Sequence, residues 1–350
     1  MVFASDNGSP VLPQVMAALV AANHGPAPSY GADALMDLVR AQIRALFEAP
    51  EAAVYLVATG TAANALALAT LTQPWGAIYC HRNSHIEEDE CGAPEFYTGG
   101  AKLVLLDGDH AKIAPTALAD ALTNAASAGV HNVQRGMLSL TNATENGAIY
   151  RPAEVAALTA IARSHGIPSH MDGARFANAV ASAGCSPAEM TWRAGIDILS
   201  FGGTKNGLMG VEAVVIFDPA RAWQFELRRK RAGHLFSKHR YLSAQMAAYL
   251  DDDLWLKTAA TANARATRLS QGIAAIPGAK LVHPTEANSV FAAWPRRGHG
   301  VALAAGAGYG LWPGTQNLDG TPDELLTARL VCSWNTTDTE IDKLLALIRP

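Results

Sequence analysis

The chain has 350 residues, 49% of them apolar or aromatic and 17% charged, with a formal net charge of −4. That balance excludes a disordered chain, and the lack of a basic excess excludes a nucleic-acid partner. No apolar run reaches 18 residues, so no membrane span is expected.

Met1–Asn7 has neither the basic nor the apolar region of a secretory signal, and the expected location is the cytoplasm. Four cysteines without a C-x-x-C pair are too few for a disulfide framework. At roughly 150 residues per domain, the length suits two domains.

Between residues 50 and 220 short apolar runs alternate with Ala-rich segments, a pattern that predicts an α/β domain with a mainly parallel sheet. Thr61–Leu71 reads as a helix opening after a Thr-Gly turn. Ala77–Cys80, Lys102–Leu106 and Gly136–Leu140 read as strands, the last ending in the polar turn 141–147. Pro152 suits the first turn of a helix that runs through Val155, Leu158 and Ile161 to a stop at Gly166. Ile167–Met171 is then a strand that delivers Asp172 at its carboxyl end. Ile198–Phe201 and Val211–Phe217 flank a Gly-rich turn around Lys205.

Beyond residue 240 the character changes. A long helix is expected from Leu242, strands of a smaller sheet at Asn288–Trp294 and Ala328–Trp334, and a capping box Thr337–Glu340 ahead of a last helix Ile341–Ile348. The reading is a large domain, residues 1–245, and a small α+β domain, residues 246–350.

Ligands of open parallel sheets sit beyond the carboxyl ends of the strands. Three polar features are expected there. The turn Thr59-Gly60-Thr61 opens a helix, and its free amides suit a phosphate. Asp172 ends an apolar strand, and Lys205 stands among small residues between two more. Read singly, these are an ordinary helix start, a carboxylate that caps a helix or pairs with Arg175, and a turn lysine reaching water. Read together, they are a phosphate cradle, an acid for a ring nitrogen and an amine for a Schiff base. That set is the binding signature of pyridoxal 5'-phosphate, in the order used by the aminotransferase-like fold type I enzymes.

Within that fold type the chain resembles the low-specificity L-threonine aldolases and the related phenylserine aldolases. The motifs that carry the resemblance are Ser5-Asp6-Asn7, Ser29-Tyr30-Gly31, Gly60–Asn64, His85 with Asp89–Glu95, Asp172–Arg175, Gly203-Thr204-Lys205, Ser237–Arg240 and Arg329-Leu330-Val331. The turn Thr141–Glu145 departs from the Leu-Glu-Asn-Thr-His type of many members. The resemblance implies retro-aldol cleavage of L-β-hydroxy-α-amino acids to glycine and an aldehyde, with Lys205 as the Schiff-base lysine and Asp172 at the ring nitrogen. It implies Arg175 and Arg329, helped by Ser5, for the substrate carboxylate, and His85 against the cofactor ring. His131 is expected near the substrate hydroxyl. The base for that hydroxyl stays open between His85, His131 and a water held by these or by Glu90.

Arg229 is expected at a neighbouring chain's phosphate with Tyr30 close by, which implies a homo-oligomer of site-sharing dimers assembled into a tetramer. Another pyridoxal phosphate lyase, a racemase, and a cofactor carrier without catalysis are the competing readings. A zinc site at His81 and His85 lacks the glutamate of H-E-x-x-H, and neither G-x-G-x-x-G after a strand nor G-x-S-x-G occurs.

Overall fold

The computed structural model describes residues 1–125 and 129–349. Seven strands form the larger sheet: β1 (Ala53–Val57), β2 (Gly76–His81), β3 (Lys102–Leu106), β4 (Gln134–Thr141), β5 (Ser169–Gly173), β6 (Ile198–Gly202) and β7 (Glu212–Ile216). Their order is β1-β7-β6-β5-β4-β2-β3, and β7 alone runs against its neighbours. The apolar runs make these strands because helices cover both faces, so alternation with polar residues is not needed. Every residue of β2, β5, β6 and β7 is buried.

Strand alternation sorts the side chains between two cores. Leu138, Leu140, Met171, Leu199, Phe201 and Val215 face the helices Ala34–Leu46, Pro152–Ser164 and Phe176–Ala183. Met137, Ile198, Val214 and Ile216 face the helix Gly60–Leu71. That helix is buried continuously from Ala62 to Leu71, as befits a segment apolar on every side.

The smaller sheet holds β8 (Lys280–Leu281), β9 (Ser289–Pro295), β10 (Gly310–Leu311) and β11 (Leu325–Val331), antiparallel in the order β10-β11-β9-β8. Ala266, Leu269 and Ile273 from one helix and Ile341 and Leu344 from the last helix pack on Val290, Trp294 and Leu330, with Phe3 inserted among them. The capping box is present, and the last helix is Asp338–Ile348.

Two expectations shift. The long helix is divided into Arg240–Leu250 and Leu254–Ala274, because Asp252 and Asp253 take φ of 46° and 53°. Short polar side chains tolerate that left-handed region better than the flanking Leu residues. The strand expected at Ala328–Trp334 is Leu325–Val331, paired residue for residue with β9, while the Trp334 indole leaves to donate to the Pro10 carbonyl at 3.1 Å. Trp255 and Ala259 join the larger core and Ala266 the smaller, so one helix spans both. No helix among the described residues is long and apolar enough to cross a membrane.

Candidate active site

Register brings three polar features to one edge. Val57 pairs with Glu212, Glu212 with Gly202, and Gly173 with Phe201. The turn after β1, the turn after β6 and the end of β5 therefore lie side by side. Gly202 makes this closeness possible, since a Cβ there would collide with the Ala174 carbonyl.

Lys205 sits in the single turn Thr204–Asn206, closed by Gly207 at φ 102°, where a Cβ would lie 2.6 Å from Leu12. The turn is tied down from below. Asn206 donates to the Tyr249 hydroxyl at 2.7 Å and the Trp255 carbonyl at 2.8 Å. Glu212 accepts the Gly203 amide at 2.6 Å, and burial pushes its carboxyl up to about 7. Lys205 itself is half-buried and makes no ion pair or hydrogen bond among the described residues.

Asp172 is 2% exposed and accepts the Ala174 amide at 2.9 Å and the Asn64 amide group at 3.0 Å. The same Asn64 nitrogen reaches Glu90 at 2.9 Å, and Glu90 accepts His85 Nδ1 at 2.8 Å. His85, Glu90, Asn64 and Asp172 thus form one continuous chain. The Glu90 bond raises the His85 imidazole above its ordinary range, and burial raises the Glu90 carboxyl. The pair holds its proton tightly, and Nε2 of the part-exposed His85 remains for a ligand.

On the same sheet face, Ser139, His170 and Ser200 link across β4, β5 and β6 at 3.0 Å each, and burial pushes His170 down to about 4. His170 is therefore neutral at physiological pH. At the start of the helix Gly60–Leu71, Thr59 Oγ1 accepts the Ala62 amide at 3.2 Å. The Gly60 and Thr61 amides lack partners within the helix, the usual condition of a first turn, and favour an anion.

The residues expected at the substrate carboxylate stand as follows. Arg175 donates from Nε and Nη2 to both oxygens of Asp6, at 2.7 and 2.9 Å, so this edge of its fork is taken. Arg329, on β11 opposite Phe291, has no ion pair among the described residues and lies 5.9 Å from the Trp312 ring. Burial and the nearby Arg175 charge lower its pKa. Ser5 Oγ accepts the Asn7 amide at 3.2 Å, just before Asp6.

His131 is not brought to the Lys205 group within its own chain. It is exposed, three residues ahead of Gln134, at the amino end of β4, whereas Asp172 lies at the carboxyl end of β5 alongside it. The whole strand separates it from the Lys205 group of its own chain. Arg229 is buried rather than on a solvated helix face. It donates to the Leu56 carbonyl at 3.3 Å, lies 4.9 Å from the Tyr55 ring, and does not join the Lys205 group. Tyr30 is 49% exposed, with Lys230 Nζ 5.0 Å from its ring.

The sequence reading passed over Glu212, although a lone carboxylate in the apolar run Val211–Phe217 is a visible signal. It also passed over His170 and Asn288, whose partners are set by strand pairing.

Residues 3–294 match the beta-eliminating lyase family. The chain is 40% identical over 347 residues to a low specificity L-threonine aldolase from a Pseudomonas species, covering 99% of this chain and 96% of that protein. The low specificity L-threonine aldolase of Pseudomonas aeruginosa matches with the same identity and coverage. A solved threonine aldolase of Leishmania major superposes with a TM-score of 0.91 at 26% identity, over 99% of this chain and 98% of that one. The chain belongs to the beta-eliminating lyase family and, within it, to the low-specificity L-threonine aldolases, pyridoxal phosphate-dependent lyases of fold type I.

Proposed function

We propose that the protein cleaves L-β-hydroxy-α-amino acids, with L-threonine, L-allo-threonine and L-phenylserine among them, into glycine and an aldehyde. The observation that carries this reading is the meeting of Lys205, Asp172 and the His85–Glu90 pair at one edge of the larger sheet.

The donor set fits pyridoxal phosphate. It offers an amine without an ion pair, a buried carboxylate, first-turn amides, and two buried oxygens, Asn64 Oδ1 and Glu90 Oε2, that lack partners. Lys205 would hold the cofactor's aldehyde carbon, Asp172 its ring nitrogen, and Gly60 and Thr61 its phosphate, with His85 at the ring face. When bound, the cofactor supplies a sink for the electron pair left at Cα.

The protein's own part is orientation and proton handling. Arg329 attracts the substrate carboxylate, and the remaining N–H groups of Arg175 direct it. Charge-assisted bonds of this kind contribute about 1.5–3 kcal/mol each. Fixing the carboxylate decides which bond at Cα faces the sink. His85 Nε2 takes the β-hydroxyl proton as the aldehyde departs, and Glu90 holds the imidazole in place for it. Asp172 is held in place by the Asn64 and Ala174 donors.

Incubation of the purified, cofactor-loaded protein with L-threonine and L-phenylserine tests the reading. It requires acetaldehyde or benzaldehyde with equimolar glycine. A keto acid with ammonia, or the mirror-image amino acid, would replace it with another lyase or a racemase.

We further propose a cytoplasmic homo-oligomer, with site-sharing dimers assembled into a tetramer. The support is that the Gly60-Thr61 turn offers amides but no full cation for a phosphate dianion, while Arg229 of the same chain does not join the Lys205 group and is instead bonded to the Leu56 carbonyl. Mixed dimers refolded from Lys205→Ala and Arg229→Ala proteins recover activity if the two residues serve one site from opposite chains.

A further inference from the structure

Asp6 has no task in the reaction as described, yet it is among the most constrained carboxylates of the chain. It is 1% exposed and meets Arg175 through two parallel hydrogen bonds, with a third from Asn288 Nδ2 at 3.0 Å. Its partners come from the end of the larger sheet and from the segment entering β9 of the smaller one. Asp6 thus joins the N-terminal segment to both sheets at the place where the substrate carboxylate is read.

The pairing has two chemical consequences. A guanidinium gripped along Nε and Nη2 has a fixed plane, and its remaining N–H groups on Nη1 and Nη2 point in one direction. The Asp6 charge also cancels that of Arg175, so the net positive charge facing a ligand resides on Arg329. The unpartnered Asn288 Oδ1 marks the same spot as polar and closed to water.

We propose that Asp6 is a positioning residue: it aims the free edge of Arg175 so that Arg329 supplies the charge, and Arg175 the direction, for a substrate α-carboxylate. The identity of the substrate rests on the aldolase reading, but the positioning of a carboxylate does not. The direction matters because it selects the bond at Cα that breaks. A loosened Arg175 blurs the choice between cleaving Cα–Cβ and exchanging the α-proton.

The test is glycine binding to the cofactor-loaded protein, followed by its absorbance change. It is paired with the ratio of aldehyde release from L-threonine to solvent-deuterium uptake at the α-carbon of glycine. Asp6→Asn removes the charge and the two-point grip. A positioning role predicts glycine binding weakened about ten- to hundredfold, as for loss of a charge-assisted hydrogen bond, together with a shift of the ratio toward exchange. If Asp6 merely neutralises Arg175, the substitution unmasks a positive charge, glycine binds more tightly, and the proposal is overturned. Unchanged binding and an unchanged ratio overturn it equally.

Asn288→Ala leaves the ion pair but removes one support of Asp6. It predicts the same directions at smaller size and carries the comparison if Asp6→Asn does not fold. A wild-type protein that binds glycine without cleaving L-threonine would sink the aldolase reading while the glycine titration still judges Asp6. A wild-type protein that fails to bind glycine sinks both.

Discussion

On the side of the larger sheet, the side chains around Lys205 are tied to backbone or to one another. Asp172 has two donors, the Lys205 turn has anchors at Gly203 and Asn206, and His85 is held by Glu90. On the side of the smaller sheet, Arg329 has no ion pair and Trp312 is 39% exposed at the start of a long irregular connection. The difference follows from the backbone. Parallel strands buried on both faces end at fixed heights, so side chains at their ends inherit that precision. In the smaller antiparallel sheet β9 is buried, but Thr327 and Arg329 of β11 stay partly exposed, with directions set mainly by loop neighbours that can move. Lys205 and Asp172 thus stand on the fixed wall, and Arg329 on the more adjustable one.

The sharpest way to break this contrast is Lys205→Ala. Turnover should fall on the order of 10⁴-fold or more, and borohydride reduction of the wild-type holoenzyme should label Lys205 alone. A label on another lysine would remove the rigid wall's central member.

Glu212→Gln probes the anchor beneath that lysine. Burial raises the folded-state carboxyl from 4.5 to about 7, so the folded protein binds the Glu212 proton more tightly than the unfolded chain does. The stabilising contribution is complete below about pH 4.5 and is lost as pH rises through about 7, by up to about 3 kcal/mol. Urea midpoints should show the glutamine variant gaining on wild type between pH 5 and pH 8. Parallel curves at both pH values would count against an anchor that titrates.

Glu90→Gln sharpens the comparison through His85. The wild-type imidazole is raised first by its hydrogen bond to Glu90, and a base must be neutral to accept a proton. Loss of the carboxylate should move the rising limb of kcat/KM to lower pH, with about a tenfold fall in the plateau. An unmoved limb would assign the base elsewhere.

The smallest effect is expected far from the chemistry. Thr337→Ala removes the side-chain cap of the last helix, which costs about 1 kcal/mol of stability, and kcat should not change.

Much of the rigid wall is legible in the sequence. A carboxylate terminating an apolar run must be met by a donor, and a lysine among small residues between two strands is poorly placed for a solvated charge, so both read as strand-end residues. What is not legible is anything that depends on which strands are neighbours. The link from His85 through Glu90 and Asn64 to Asp172 exists because β4 alone lies between β2, which leads to His85, and β5, which carries Asp172 near its end. Asp6 and Arg175 are 169 residues apart, and no local pattern reveals that they are paired. His131 shows the converse. Similarity of order along the chain implies it for the site, whereas the start of β4 places it at the far end of its own chain's strands.

Phe3 is wholly buried in the smaller core, its amide donates to the Gly308 carbonyl at 2.6 Å, and its carbonyl accepts the Val331 amide at 2.8 Å. The partners that receive this segment come late in the chain, Arg175 following Asp6 by 169 residues and Asn288 by 282. The nascent chain can assemble the larger sheet and the lysine turn while its own first residues still wander. Docking of this segment on the smaller sheet awaits residues 288–331, so the support of the Asp6–Arg175 pair is completed after the lysine turn is made.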